Sequence, residues 1–399
     1  MTPRTVAITG LGVLSACGIG VEAFWHGLGT EPGARPQPLE VEGFDPGRWF
    51  GPKEVRRVDR FTQLAVAAAT MALDDAGMAK GPEPGDGVSL ARCGVMVATG
   101  VGGLASYDRQ LHVLEARGAD RVSPFLIPML MPNAAAAAVS LRFGWTGPCE
   151  TVTTACAAGT HGVANAARWI ASGRCDAVLA GASEGHPTPV GMAGFANMTA
   201  LSPTGMSCPF DANRNGFVAS EGAAMLVLEE LDAARARGAH VYAVIAGSAS
   251  NADAHHLTAP AEAGAGALAC MRLALDDAGM RAGDVAHVNA HGTSTSRNDA
   301  AEAAALTALF GRPGPPVTSI KGVLGHAFGA AGALEAVAAA LTIDRGAIPP
   351  TAGYHTPDPA LGLDVVAGGW RAFEPGPVVS NSFAFGGHNG ALVLAPPPG

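Results

Sequence analysis

Lysine is nearly missing: Lys53, Lys80 and Lys321 are the only three among the 25 basic residues of this 399-residue chain. Genomic base composition accounts for part of that, and for the many Ala, Gly and Pro residues, but a lysine inside a motif still stands out. Charge is sparse as well, at 15% of residues with a net charge of −9. A broad basic face for nucleic acid is therefore not expected. No run approaches 18 consecutive apolar residues, so no membrane span is expected. The first residues, MTPRTVAITGLGVLSACG, have no basic segment followed by a long apolar one, and they read as a strand and a turn rather than a secretion signal. No C-x-x-C or H-E-x-x-H occurs, and His255 and His256 are merely adjacent, so no metal site is expected. The cysteine count of seven is odd, in a chain long enough to need no staples. Free thiols and a cytoplasmic location follow as the expectation.

What the chain does have is apolar mass, 48% of its residues. That excludes disorder and suffices for a large core spanning two or three domain-sized units. It also carries a repeat. Ala72-Leu-Asp-Asp-Ala-Gly-Met78 returns letter for letter as Ala274-Leu-Asp-Asp-Ala-Gly-Met280, about half the chain later. A helix-patterned stretch precedes the first copy, with Phe61, Leu64, Ala65, Ala68, Met71 and Ala72 on one face. Gly77 and Gly279 then fall where a helix C-terminal glycine belongs. Strand-like runs follow both copies, Cys93–Gly100 and Val285–Gly292, and Val6–Gly10 and Val241–Gly247 enter each half similarly. Short strands alternating with helices predict an α/β fold of two duplicated halves, 1–235 and 236–399. The Pro/Gly-rich stretches 30–52, 81–87 and 311–316 read as surface loops.

Four chemistry-bearing motifs stand out. In Val152-Thr-Thr-Ala-Cys156-Ala-Ala-Gly-Thr-His161, Cys156 falls between a strand-like entry and a helix that ends near Ser172-Gly173. The positive end of that helix favours a thiolate and predicts a lowered thiol pKa. Asn289-Ala-His291-Gly-Thr-Ser-Thr295 places a histidine after a strand and before a glycine turn. Lys321-Gly-Val-Leu-Gly-His326 leads into a helix bearing Glu335. A cysteine with two histidines suits carbon–carbon bond formation on thioesters: the thiol carries an acyl group while neutral imidazoles donate to an enolate oxygen. Lys321 can keep a nearby histidine neutral, and Glu335 can hold Lys321. Finally, Asn381-Ser-Phe-Ala-Phe385-Gly-Gly-His-Asn389 has a Gly-Gly pair that lets the backbone approach a ligand, so the Phe385 amide is a candidate oxyanion donor.

Taken together in this order, TAC, HGT, KxxxGH and FGGxN resemble the β-ketoacyl-acyl-carrier-protein synthases. The likeness is to the elongating branch and to the ketosynthase subunits of type II polyketide systems, and it covers essentially the whole chain. It implies the thiolase fold, with two βαβαβ-type halves in five α-β-α-β-α layers. It implies acyl transfer to Cys156, decarboxylation of a malonyl thioester by His291 and His326, and an ion pair between Lys321 and Glu335. Cys156 and Phe385 would form the oxyanion hole. Thr293 and Thr295 would contact a phosphopantetheine arm, and Val101, Phe195 and Phe385 would line or gate the acyl pocket. The arm is supplied by an acyl carrier protein, so no metal or organic cofactor is implied. Lys53, Arg56, Arg57 and Arg60 resemble the carrier docking segment, a local basic patch that an acidic partner needs on an acidic chain. Family members pair with themselves or with a chain-length-factor-like subunit that lacks the nucleophile. The Arg-rich, Lys-poor composition and Ala384, where the family more often has Gly, favour a type II polyketide or polyene pathway over housekeeping fatty-acid elongation.

Rival readings are weaker. A thiolase needs a second cysteine near the C-terminus, and none follows Cys270. Initiating synthases use Cys-His-Asn, whereas KxxxGH supplies a second histidine here. A chain-length-determining subunit would lack Cys156. Gly181-Ala-Ser183-Glu-Gly185 matches the G-x-S-x-G of serine hydrolases but leads into a Pro/Gly-rich stretch.

Overall fold

The computed structural model describes residues 4–78 and 89–399, so Lys80 and the predicted loop at 81–87 lie outside the described residues. In the first half, β1 (Val6–Ser15), α1 (Arg60–Asp75), β2 (Cys93–Ala98), α2 (Ala134–Phe143), β3 (Cys149–Glu150), α3 (Ala158–Ala171), β4 (Ala177–Glu184) and β5 (Gly222–Glu230) follow one another. The second half repeats the series with β6 (Ala243–Ala252), α4 (Ala265–Asp277), β7 (His287–Asn289), α5 (Ser296–Phe310), β8 (Val317–Thr318), α6 (Ala331–Arg345), β9 (Val378–Ala384) and β10 (His388–Ala395). Each half is thus βαβαβαββ, the expected βαβαβ-type unit extended by one αβ step and a final strand.

Strand order makes the duplication explicit. The sheet runs β3-β2-β4-β5-β1-β6-β10-β9-β7-β8. Counted within its own half, each side reads third, second, fourth, fifth, first. The two first strands meet antiparallel, Val6 opposite Ile245 and Ile8 opposite Ala243, which relates the halves by a pseudo-two-fold axis. The repeated heptapeptide does the same work twice. Asp75 accepts from the Leu11 amide and Asp277 from the Ser248 amide, each at 2.8 Å. Gly10 and Gly247 lie directly beneath the helices: a Cβ would stand 2.3 Å from the Ala72 carbonyl oxygen and 2.6 Å from that of Ala274. Both helices end in a left-handed glycine, Gly77 at φ 70° and Gly279 at φ 65°.

Hydrophobic clusters define the layers. Helices α1 and α2 cover one outer face through Phe61, Leu64, Val139 and Val95. Helices α4 and α5 cover the other through Met271, Leu306, Val288 and Val393. Between the half-sheets lie α3 and α6, where Val163, Ile170, Val337 and Leu341 meet Leu11, Val178, Leu392 and Leu394. The result is the five-layered α-β-α-β-α thiolase arrangement. Helix α6 is buried over nearly its full length, so its largely apolar composition needs no polar face. One expectation needs correction. The 30–52 stretch is not purely surface: Leu39, Val41 and Phe50 are buried, and Leu39 exchanges backbone hydrogen bonds with Ala219 and Glu221. Apolar residues inside a Pro/Gly-rich loop are the reason.

Candidate active site

The central helices bring the motifs together. Cys156 lies in the turn Ala155–Ala157 that enters α3, and His326 precedes the turn Phe328–Ala330 that enters α6, so they occupy corresponding places in the two halves. The turn that holds Cys156 is strained, with Ala155 at φ 49°. His291 stands two residues past β7, and the amides of His291 and Gly292 donate to the two oxygens of Glu302 at 2.8 Å each. A hairpin turn joining β9 to β10 supplies Phe385 to the same cavity. All four residues line one cavity of about 1010 Å³.

Cys156 Sγ is 3.1 Å from His326 Nε2, and the two imidazole centroids are 5.6 Å apart. Lys321 Nζ donates to Glu335 and to the His291 carbonyl oxygen at 2.7 Å, and lies 3.3 Å from His291 Nδ1. An ammonium only donates, so His291 Nδ1 accepts and Nε2 carries the proton. Burial, then Lys321, holds both imidazoles well below the ordinary histidine range. Both are neutral at pH 7. Burial also pushes Glu335 up to about 7 against the pull of Lys321.

The thiol departs from expectation. Desolvation pushes Cys156 up to about 12, although Lys321 and the Phe385 amide pull it down. Burial is the largest influence on the thiol, so the resting pair is neutral thiol and neutral imidazole. His326 Nε2, 3.1 Å from the sulfur, is placed to take the thiol proton.

Thr293 and Thr295 line the cavity with their hydroxyl oxygens 2.9 Å apart. Val101 and Phe195 line it too, and Phe195 stacks on Phe328 at 5.1 Å. Ala384 closes β9 opposite His388, without a positive φ; the left-handed residues are Gly386 and Gly387. The methyl therefore imposes no backbone strain. Lys53, Arg56 and Arg57 are exposed around the one-turn helix Pro52–Val55. Arg60 is not a free docking cation. Its guanidinium forks onto Glu221 at 2.6 and 3.1 Å and lies 4.7 Å from the Phe44 ring centroid, because a fully buried carboxylate demands a partner.

Ser183 is no nucleophile: it is buried inside β4 and its hydroxyl donates to the Phe61 carbonyl at 2.6 Å. A helix does follow this motif, Pro189–Asn197, but only after an intervening loop. The carboxylate that organises the backbone there is Glu184, which the motifs did not reveal. It accepts from the amides of Gly100 and Gly329 at 2.6 and 3.0 Å, tying the Val101 loop to the Phe328 turn. Glu302 was missed as well. Its signal is the Asp299–Glu302 pair, two acids one turn apart on an otherwise Ala-rich helix and both buried. Among the described residues no three His, Cys, Asp or Glu side chains converge as metal ligands, and no helix is long and apolar enough to cross a membrane.

Two half-sheets around a central helix pair, with a cysteine and a histidine at corresponding helix entries, define a thiolase-fold condensing enzyme. The chain matches "Beta-ketoacyl synthase, N-terminal domain" over residues 30–234 and the C-terminal domain of the same family over 242–355, and it belongs to that family. It is 41% identical over 419 residues to a 3-oxoacyl-[acyl-carrier-protein] synthase 2 of Rhizobium meliloti, covering 98% of each chain. A Synechocystis protein of the same name is 38% identical over 411 residues, again with 98% of each covered. Among solved structures, "The ishigamide ketosynthase/chain length factor" superposes with a TM-score of 0.93 at 36% identity, covering 99% of this chain and 100% of that one. A β-ketoacyl synthase from Burkholderia phymatum superposes at 0.90 with 33% identity, with 99% and 100% covered.

Proposed function

We propose that this chain joins an acyl group held on Cys156 to a two-carbon unit from malonyl-acyl-carrier-protein. The observation that carries this is the 3.1 Å contact between Cys156 Sγ and His326 Nε2, in a cavity shared with His291 and Phe385. In the first step the thiol proton passes to His326 while sulfur attacks the acyl thioester carbonyl. The oxyanion is met by the Cys156 and Phe385 amides, and the departing carrier thiolate takes the proton back from His326. In the second step the malonyl carboxylate leaves as CO2 and its bonding electrons form an enolate. His291 Nε2–H donates to the enolate oxygen, and His326 does so once its proton sits on Nε2. The enolate carbon attacks the acyl carbonyl, Cys156 leaves as a thiolate that takes up a proton from solvent by way of His326, and a β-ketoacyl thioester two carbons longer remains.

The phosphopantetheine arm of the carrier protein reaches Cys156 past Thr293 and Thr295, and the chain needs no organic cofactor or metal of its own for these steps. Lys53, Arg56 and Arg57 meet the acidic carrier. We place the enzyme in a type II polyketide or polyene pathway, as homodimer or as heterodimer with a chain-length-factor-like subunit. The fit to the ishigamide ketosynthase/chain length factor supports this. Fatty-acid elongation is the second reading, favoured by the name of the curated relatives. The mechanism is tested by CO2 release from malonyl-carrier-protein. His326→Ala is expected to lower it by roughly 100-fold or more while some acylation persists; unimpaired release would refute its role.

A further inference from the structure

The steps above leave one buried histidine beside the nucleophile unused. His161 lies one turn into α3 and is 8% exposed. Its ring is held at both nitrogens: Nδ1 is 2.8 Å from Thr154 Oγ1, and Nε2 is 3.0 Å from the Asn389 carbonyl oxygen. A carbonyl only accepts, so Nε2 carries the proton and Nδ1 accepts from the Thr154 hydroxyl. Burial lowers the imidazole pKa and favours this neutral tautomer. Gly390 seats the ring, since a Cβ there would lie 3.0 Å from both Cδ2 and Nε2.

The two anchors belong to different halves of the chain. Thr154 opens the strained turn that carries Cys156. Asn389 pairs with Phe383 at the base of the hairpin that carries Phe385. An oxyanion hole made of the Cys156 and Phe385 amides is therefore assembled across the seam between halves, and its donor separation depends on what crosses that seam. Thr160 Oγ1 and Ser382 Oγ, 2.7 Å apart, cross it alongside.

We propose that His161 is a positioning residue for acyl transfer, its neutral ring fixing the distance between the two oxyanion-hole amides. The proposal rests on Cys156 being the acyl acceptor. His161 touches no reacting atom. Its effect comes through the placement of donors, where an error near 1 Å costs on the order of 100-fold in rate.

Two reactions of the same thiol separate this role from a general one. Acyl transfer from an acyl-carrier-protein thioester builds an oxyanion. Alkylation by iodoacetamide forms the S–C bond, expels iodide from a saturated carbon and sends the thiol proton to His326, with no oxyanion at any stage. On the full chain, His161→Phe removes both hydrogen bonds and keeps a ring. Its acylation rate is expected to fall about 100-fold at unchanged KM, with alkylation within about twofold of the parent. His161→Gln, whose amide reaches the Nε2 position, should recover roughly tenfold of that loss. Unchanged acylation in His161→Phe overturns the proposal, and so does a parallel fall in both reactions. Should the Phe variant not fold, the Gln variant decides alone: about a tenfold loss in acylation with normal alkylation supports the role, and no loss overturns it. A parent enzyme that alkylates normally but accepts no acyl group from any donor defeats the reading of Cys156 itself, a result distinct from either of these.

Discussion

Cys156 and His326 sit together as two neutral groups, because burial raises one pKa and lowers the other. That pairing has a pH signature. An exposed thiol near pKa 9 reacts about tenfold faster for each pH unit between 6 and 8, following its thiolate fraction. Here the thiol lies up at about 12, so reaction depends on transfer to His326, which stays unprotonated until well below the ordinary histidine range. Alkylation of Cys156 by iodoacetamide should therefore be nearly flat from pH 8 to 6.5 and fall only at lower pH, as His326 takes up a proton. A tenfold rise per unit across that interval would show that the thiolate is formed by solvent and not by His326. Lys321 and Glu335 stand behind His291, where they hold its tautomer from outside the cavity wall.

The helix-on-strand contact repeated at α1 and α4 is the structural meaning of the duplicated heptapeptide. Gly10→Ala and Gly247→Ala each drive a methyl into a helix carbonyl, with no flexible side chain to yield. Each should cost about 2 kcal/mol or more in denaturant unfolding, and the two costs should be similar because the contacts are equivalent. A cost at one site and none at the other would contradict the equivalence of the halves. This level of organisation was legible in the sequence, since an identical ending to two helices needs an identical seat. The nucleophile turn, both histidines and the Phe385 hairpin were also legible, because glycines and small residues mark where backbone turns into a cleft. Glu184, Glu302 and the seam-crossing role of His161 were not. Glu184 and His161 reach backbone partners on distant segments, at Gly329 and Asn389, which leave no local pattern, and the one trace of Glu302 was its acidic neighbour Asp299 a turn away. The Arg60–Glu221 ion pair was not legible for the related reason that the two residues lie far apart in sequence. The thiol pKa was misread because burial, which no motif reports, is the largest influence on it.

Across the whole molecule, an acidic chain has to meet an acidic carrier protein, so the encounter depends on where the few cations are exposed. Lys53, Arg56 and Arg57 are exposed, whereas Arg60 is committed to the interior. Reversing Arg56 and Arg57 to Glu should raise the carrier-protein KM about tenfold or more at low salt, with little change in kcat and a weaker effect as salt increases. An unchanged KM would remove this face from the encounter. On the function proposed, the pairing of α3 and α6 about the pseudo-two-fold axis makes Cys156 an acyl carrier. Intact-protein mass spectrometry after mixing with a panel of acyl-carrier-protein thioesters tests it most directly, with Cys156→Ala alongside. The account predicts a mass gain of one acyl group in the parent chain and none in the variant, and the preferred acyl group would separate fatty-acid from polyketide use. An equal mass gain in Cys156→Ala, or no gain with any donor, would contradict it.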